Sequence, residues 1–395
     1  MSMRILSSSA RAAIPACLAA LLLGFTGASA GAKTVEEDYD RCLSQQQDTT
    51  NGEIAERMAA CTHVITTPDA DEDSLAYAYY ARGGSYGRLD DLQRALADYT
   101  QSIAHNPKLA EPYAMRAQIR LLLGQMDDGL RDANQALAID PKNFPAHSAR
   151  LDVSMARGNY AQALDDTNYI IKNFPQNAAN YYYDLAEIYL QLNDMDRALA
   201  AAETSVKVAP NSLQSYEERA RILFALGRYK DAVPDANILV KSAPQSAEGY
   251  LIRGFSQAML LDFGPALADA DTVFALVPGE AQSFQMRCEV RAMANQRIDE
   301  ALADCNTAFQ RDPKQQFFHL WGRGLAYLRK GMNSEALADL DAARREEPKS
   351  AIPLYLHGVA LARLGKTAEG RAEIAKAQQM DKTNCDALAS MGFAG

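Results

Sequence analysis

A proline recurs along this chain at nearly constant spacing, at Pro107, Pro141, Pro175, Pro210, Pro244, Pro278, Pro313 and Pro348, and Lys382 takes the next slot. The steps are 34, 34, 35, 34, 34, 35, 35 and 34 residues. A period of this size marks one supersecondary unit stacked many times over. It overrides the two or three globular domains that 395 residues would otherwise suggest.

The unit can be read from what recurs inside it. Twelve residues before each closing residue stands a small side chain: Ala95, Gly129, Ala163, Ala198, Ala232, Ala266, Ala301, Ala336 and Gly370. Twelve earlier again a second small position recurs as Gly83, Ala117, Ala186, Ala220, Gly254, Gly324 and Gly358. Small residues at both places let two antiparallel helices approach closely while larger apolar residues fill the seam. Gly124, Gly158, Asn193, Gly227, Gly331 and Gly365 lie between the two helices as turn formers. Each unit is expected to be a helix, a tight turn, a second helix and a proline that stops it. Composition agrees: hydrophobic content is 48%, Ala and Leu dominate, and Trp occurs once, which favours helix over sheet.

In period, in the small residues at positions 8, 20 and 27, in the aromatics and in the proline at position 32, the chain resembles the tetratricopeptide repeat. The segment "WGRGLAYLRKGMNSEALADLDAARREEP" (321–348) shows the pattern well. The resemblance implies an all-α fold, a right-handed superhelical solenoid of helix–turn–helix repeats. It also implies that positions 2, 5, 9 and 12 of the first helices face a common inner groove. Nine repeats are expected over 73–384, preceded by a degenerate helical hairpin at 31–72 with helices near 35–46 and 53–66. A capping segment at 385–395 follows, as the exposed end of a solenoid requires. Two of the 35-residue steps place their extra residue before a first helix, near Gln176 and Gln315. The third places it in the turn at Asn295-Gln296.

A charge pattern rides on the repeat. Arginine recurs at position 7 as Arg82, Arg116, Arg150, Arg219, Arg253, Arg287 and Arg323; aspartate recurs at position 23 as Asp98, Asp132, Asp166, Asp235, Asp269, Asp304 and Asp339. The fourth repeat loses both together, with Leu185 and Ala201, and the ninth substitutes His357 and Glu373. Joint loss predicts a salt bridge between the paired helices, in preference to a ladder of arginines awaiting an anionic ligand.

Residues 1–30 read differently. Arg4 and Arg11 precede an apolar run from Ala12 to Phe25, and Ala28-Ser29-Ala30 follows, which together form a secretory signal peptide cleaved near Ala30. Its removal takes two arginines and no acid, moving the formal net charge from −10 to −12. An acidic protein is poorly suited to nucleic acid or anionic lipid, which bind through Lys and Arg. The product is expected to be periplasmic or secreted, without a transmembrane segment in the mature chain. In such an oxidising compartment Cys288 pairs with Cys305 across one repeat, and Cys42 with Cys61 across the N-terminal hairpin; Cys385 is left over.

No catalytic constellation emerges. Gly83-Gly84-Ser85-Tyr86-Gly87 matches a nucleophile elbow formally, but that motif needs a strand before its turn, and here it lies within a helix. His63, His105, His147, His319 and His357 are scattered without ligand spacing. No enzyme activity, metal or cofactor is expected. The implied groove has two zones: an acidic one with Glu111, Asp152, Asp184, Glu187, Glu217 and Glu218 against Arg221, and an apolar one with Leu251, Phe255, Trp321, Leu325, Tyr355 and Val359. Tyr80 and Tyr183 add aromatic surface. A scaffold holding a basic and apolar polypeptide is the expected function. Packing of the apolar zone by the terminal helix, and a glycan-binding or structural arm of an envelope assembly, are the alternatives.

Overall fold

The computed structural model describes residues 34–44, 50–314 and 316–393. The expected signal peptide, residues 1–30, lies outside the described residues. Among the latter all regular structure is helical. The N-terminal hairpin pairs α1 (Val35–Leu43) with α2 (Asn51–Thr66). The next three hairpins are α3 (Glu72–Arg88) with α4 (Leu92–His105), α5 (Ala110–Leu122) with α6 (Met126–Ile139), and α7 (Phe144–Ala156) with α8 (Tyr160–Asn173). Then come α9 (Ala178–Gln191) with α10 (Met195–Val208), α11 (Leu213–Ala225) with α12 (Tyr229–Ser242), and α13 (Ala247–Met259) with α14 (Phe263–Leu276). The last three are α15 (Ala281–Met293) with α16 (Ile298–Arg311), α17 (Gln316–Lys330) with α18 (Asn333–Glu346), and α19 (Ala351–Arg363) with α20 (Thr367–Met380), after which α21 (Lys382–Ser390) ends the helical part.

The chain divides into two compact units, one ending at Pro175 and the other beginning at Gln176. The repeat pattern runs on through this point, and the division coincides with the first irregular step. In each unit consecutive hairpins pack side by side in chain order.

The turn formers act through their backbones. Gly124, Gly158, Gly227, Gly331 and Gly365 all have φ between 70 and 88°, the left-handed region that glycine enters at no steric cost. The irregular turn at 294–297 solves the same problem with Asn295 and Arg297, at φ 54 and 47°. The small positions act through the absence of a side chain: a Cβ on Gly358 would stand 2.7 Å from the backbone oxygen of Gly370, so these two helices touch backbone to backbone.

All seven Arg–Asp pairs form, each with the guanidinium gripping both carboxylate oxygens. The substitute pair forms too, with His357 Nδ1 2.5 Å from Glu373. A relation not apparent from the sequence completes the arrangement. The third guanidinium nitrogen reaches back to position 25 of the preceding repeat: Arg116 to Thr100, Arg150 to Asn134, Arg253 to Asn237 and Arg323 to Asn306, at 3.0 to 3.2 Å. Arg82 likewise reaches Thr62 of the N-terminal hairpin at 3.1 Å. One side chain thus ties its own hairpin together and ties that hairpin to its predecessor.

Cys42 and Cys61 are joined, with Cα atoms 4.8 Å apart, and so are Cys288 and Cys305, at 5.4 Å. Cys385 is free and buried.

Candidate functional site

The first unit carries little of the expected groove. Tyr80 on α3 is half-buried and its ring lies 6.1 Å from that of Tyr99; burial, and then the charge of Glu111 on α5, raises its phenol above the usual range. Asp152 on α7 is exposed. Ser85 sits inside α3, buried, donating to the carbonyl of Ala81 at 3.2 Å, which is the back-bonding of a helical serine. The histidines are dispersed onto separate acidic partners: His63 on Asp38, His105 on Glu72, His147 on Asp166 and His357 on Glu373, while burial lowers the basicity of His319.

The second unit assembles a site from three successive first helices. From α9 come Tyr183 and Glu187, from α11 Glu217, Glu218 and Arg221, and from α13 Glu248. Glu218 is buried at 4% exposure, and the Arg221 guanidinium lies 3.7 Å from its carboxylate. Burial pushes Glu218 up to about 7 against the pull of Arg221, with Glu187 and Glu217 adding to the rise. Burial likewise raises Glu187, Glu217 and Glu248, and Arg221 opposes the rise in all three. Tyr183 is pushed up to about 12, chiefly by burial. Four carboxylates therefore share one cation in a partly desolvated recess, and the balance leaves room for a second cation. Glu248 occupies position 2 of its repeat, so the groove rule itself would have found it.

The apolar zone has a different fate. Leu251, Leu325, Tyr355 and Val359 are buried at 6, 0, 2 and 0% exposure, and Phe255 and Trp321 pack half-buried against the same core. What shares that core is the C-terminal segment: Cys385, Leu388, Met391 and Phe393. Helix α21 packs on α13 and α19 as well as α20, so it does more than close the last hairpin. At its start the Tyr229 hydroxyl donates to the side-chain oxygen of Asn384. At its end Arg329 donates to the carbonyl of Met391 at 2.9 Å and lies 3.9 Å from the centre of the Phe393 ring. The same guanidinium donates to the carbonyls of Ala292 and Met293 at the C-terminus of α15, where the helix dipole favours a cation. Near these residues Glu289 on α15 is buried at 2% exposure and pushed up to about 8 by burial, the hydrogen bond from Gln285 opposing the rise.

Comparison with known proteins agrees with this architecture. The sequence model of the tetratricopeptide repeat matches residues 149–212, 183–247 and 321–384. No curated protein sequence matches the chain. Among solved structures, a tetratricopeptide repeat protein from Parabacteroides merdae is similar at 18% identity and a TM-score of 0.51, covering 63% of this chain and 98% of its own. The Pseudomonas aeruginosa protein pilF is similar at 18% identity and a TM-score of 0.50, covering 55% and 99% respectively. At such identities the likeness is one of fold.

Proposed function

From the premise that this chain belongs to the tetratricopeptide-repeat family, whose members generally mediate contacts between proteins, we propose that it is a non-catalytic scaffold that holds a basic polypeptide in the inner groove of its second unit. The convergence of Glu187, Glu217, Glu218 and Glu248 on the single Arg221 carries this reading. A lysine or arginine entering the recess relieves the mutual repulsion of the carboxylates and finds acceptors already partly stripped of water, which strengthens each ion pair. A glycan needs exposed aromatic faces for stacking, and Tyr355 is buried while Trp321 and Phe255 lean on the core. That disfavours a sugar as the ligand.

We place the protein outside the cytoplasm, as the N-terminal segment suggests. Two disulfides are what an oxidising compartment permits. No helix among the described residues is long and apolar enough to cross a membrane.

Titration of fluorescent Lys/Arg-rich and Asp/Glu-rich peptides of equal length tests the binding reading. The basic peptide is expected to bind and Glu217→Gln with Glu248→Gln to weaken it about tenfold, roughly the loss of one charge-assisted contact. Equal binding of both peptides, or no response to the substitutions, overturns it.

A further inference from the structure

The C-terminal segment goes further than a cap needs to. Closing the open face of the last hairpin requires contact with α19 and α20 alone. Instead α21 also lies on α13, and its Asn384 meets Tyr229 across 155 residues of sequence. Beyond α20, it touches the first helices α13 and α19, and α13 bears both Glu248 of the acidic recess and the buried Leu251.

We infer that residues 382–393 are an internal ligand, a short helix with an aromatic tail seated in the groove of the second unit, and that a helical polypeptide entering that groove displaces it. The inference rests on the groove reading above, and it names the form of the partner: a helix with apolar side chains at the spacing of Cys385 and Leu388 and an aromatic residue after its end.

Three features support an occupant that can leave. The helix is nine residues long, too short to hold its form without its seat. It is joined to α20 through a single residue, Asp381, which ends one helix and caps the next by accepting from the Asn384 amide at 3.0 Å. The segment can therefore swing at one position without disturbing α20. Finally, its polar anchors are few and lie at its two ends: Tyr229 with Asn384, and Arg329 with Met391 and Phe393.

The segment carries its own reporter. Cys385 is fully buried, and burial, with Asp381 and Asp386 adding to the rise, pushes its thiol up to about 12, so it is inert while seated. Lifting the helix exposes an ordinary thiol. The experiment labels the full chain with a maleimide under native conditions, locates the label on Cys385 by peptide mass spectrometry, and compares the native protein with Phe393→Ala and with Tyr229→Phe, which loosen opposite ends. A synthetic peptide of residues 381–393 is then titrated onto each. Both variants are expected to label at least about tenfold faster without loss of the cooperative thermal transition. Phe393→Ala, whose seat is intact, is expected to bind the peptide more tightly by the same factor, because affinity scales with the open fraction, while Tyr229→Phe, which weakens the seat for the peptide as well, gains little.

Labelling that appears only with global unfolding in denaturant, or a Phe393→Ala variant that gains no affinity for the peptide, overturns the inference. Failure of the basic peptide to bind, alongside fast Cys385 labelling and peptide capture in the variants, leaves the internal ligand standing and rejects the acidic recess as the partner's seat.

Discussion

The guanidinium of Arg253 grips both carboxylate oxygens of Asp269, at 2.8 and 2.7 Å, and sends its remaining nitrogen to Asn237 in the preceding hairpin at 3.0 Å. Asp269 is only 4% exposed. The pair therefore joins two helices and two repeats through one side chain, in the geometry that binds a carboxylate most firmly.

Removing one partner strands the other charge in a poorly hydrated place. Arg253→Ala is expected to destabilise the second unit by roughly 3 kcal/mol, and adding Asp269→Ala to recover part of that loss. Thermal unfolding of the two single variants and the double variant measures the coupling. Purely additive losses would show that the pair contributes nothing of its own.

The link to the preceding repeat should be weaker, because it is one hydrogen bond between a charge and a neutral amide. Asn237→Ala is expected to cost about 1 kcal/mol. Hydrogen exchange in α11 and α12 should rise while α13 and α14 stay protected, and a uniform rise across both hairpins would argue against a local tie.

Stability should also fall as pH rises. Glu218 and Glu289 stand at about 7 and about 8 in the folded chain against 4.5 for an unburied glutamate. Each holds a proton in the folded state that it gives up when unfolded, so the contribution is complete below about pH 4.5 and is lost as pH passes through the folded values. Glu289→Gln keeps the neutral form at every pH and should flatten the upper part of the profile, seen as a melting temperature that no longer drops between about pH 7 and about pH 8. An unchanged slope would place the titrating group elsewhere.

Binding of a basic peptide should show the opposite trend, strengthening from about pH 5 to about pH 8 as the recess ionises. It should also weaken as salt screens the exposed part of the interaction. Affinity measured at several pH values and two ionic strengths checks both, and a flat response would remove the electrostatic basis of the recess.

The Cys288–Cys305 bond closes a loop of 17 residues across one hairpin. Its reduction is expected to cost about 3 kcal/mol, and the Cys288→Ala, Cys305→Ala variant to match the reduced protein. Free thiols at these positions in a non-reducing peptide map would reject the pairing.

What the sequence by itself determined lies within the reach of one repeat or its neighbour. The helices, the left-handed turns at Gly124 or Gly365, the close approach of Gly358 to Gly370, the Arg–Asp pairs 16 or 17 residues apart and both disulfides join positions that the period reproduces again and again, so a local rule could be read many times over. The tie from Arg253 to Asn237 escaped because position 25 varies among Thr, Asn, acidic residues and, at 375, Ala, so the Thr and Asn that make the tie share hydrogen bonding but no identity. The tertiary structure alone decided that Leu325 and Tyr355 are core and that Tyr229 meets Asn384. Contacts between distant hairpins depend on the small rotation added at each repeat and summed along the stack. No pattern inside a single repeat encodes that sum, so the seat of the C-terminal helix exists only once the hairpins have packed.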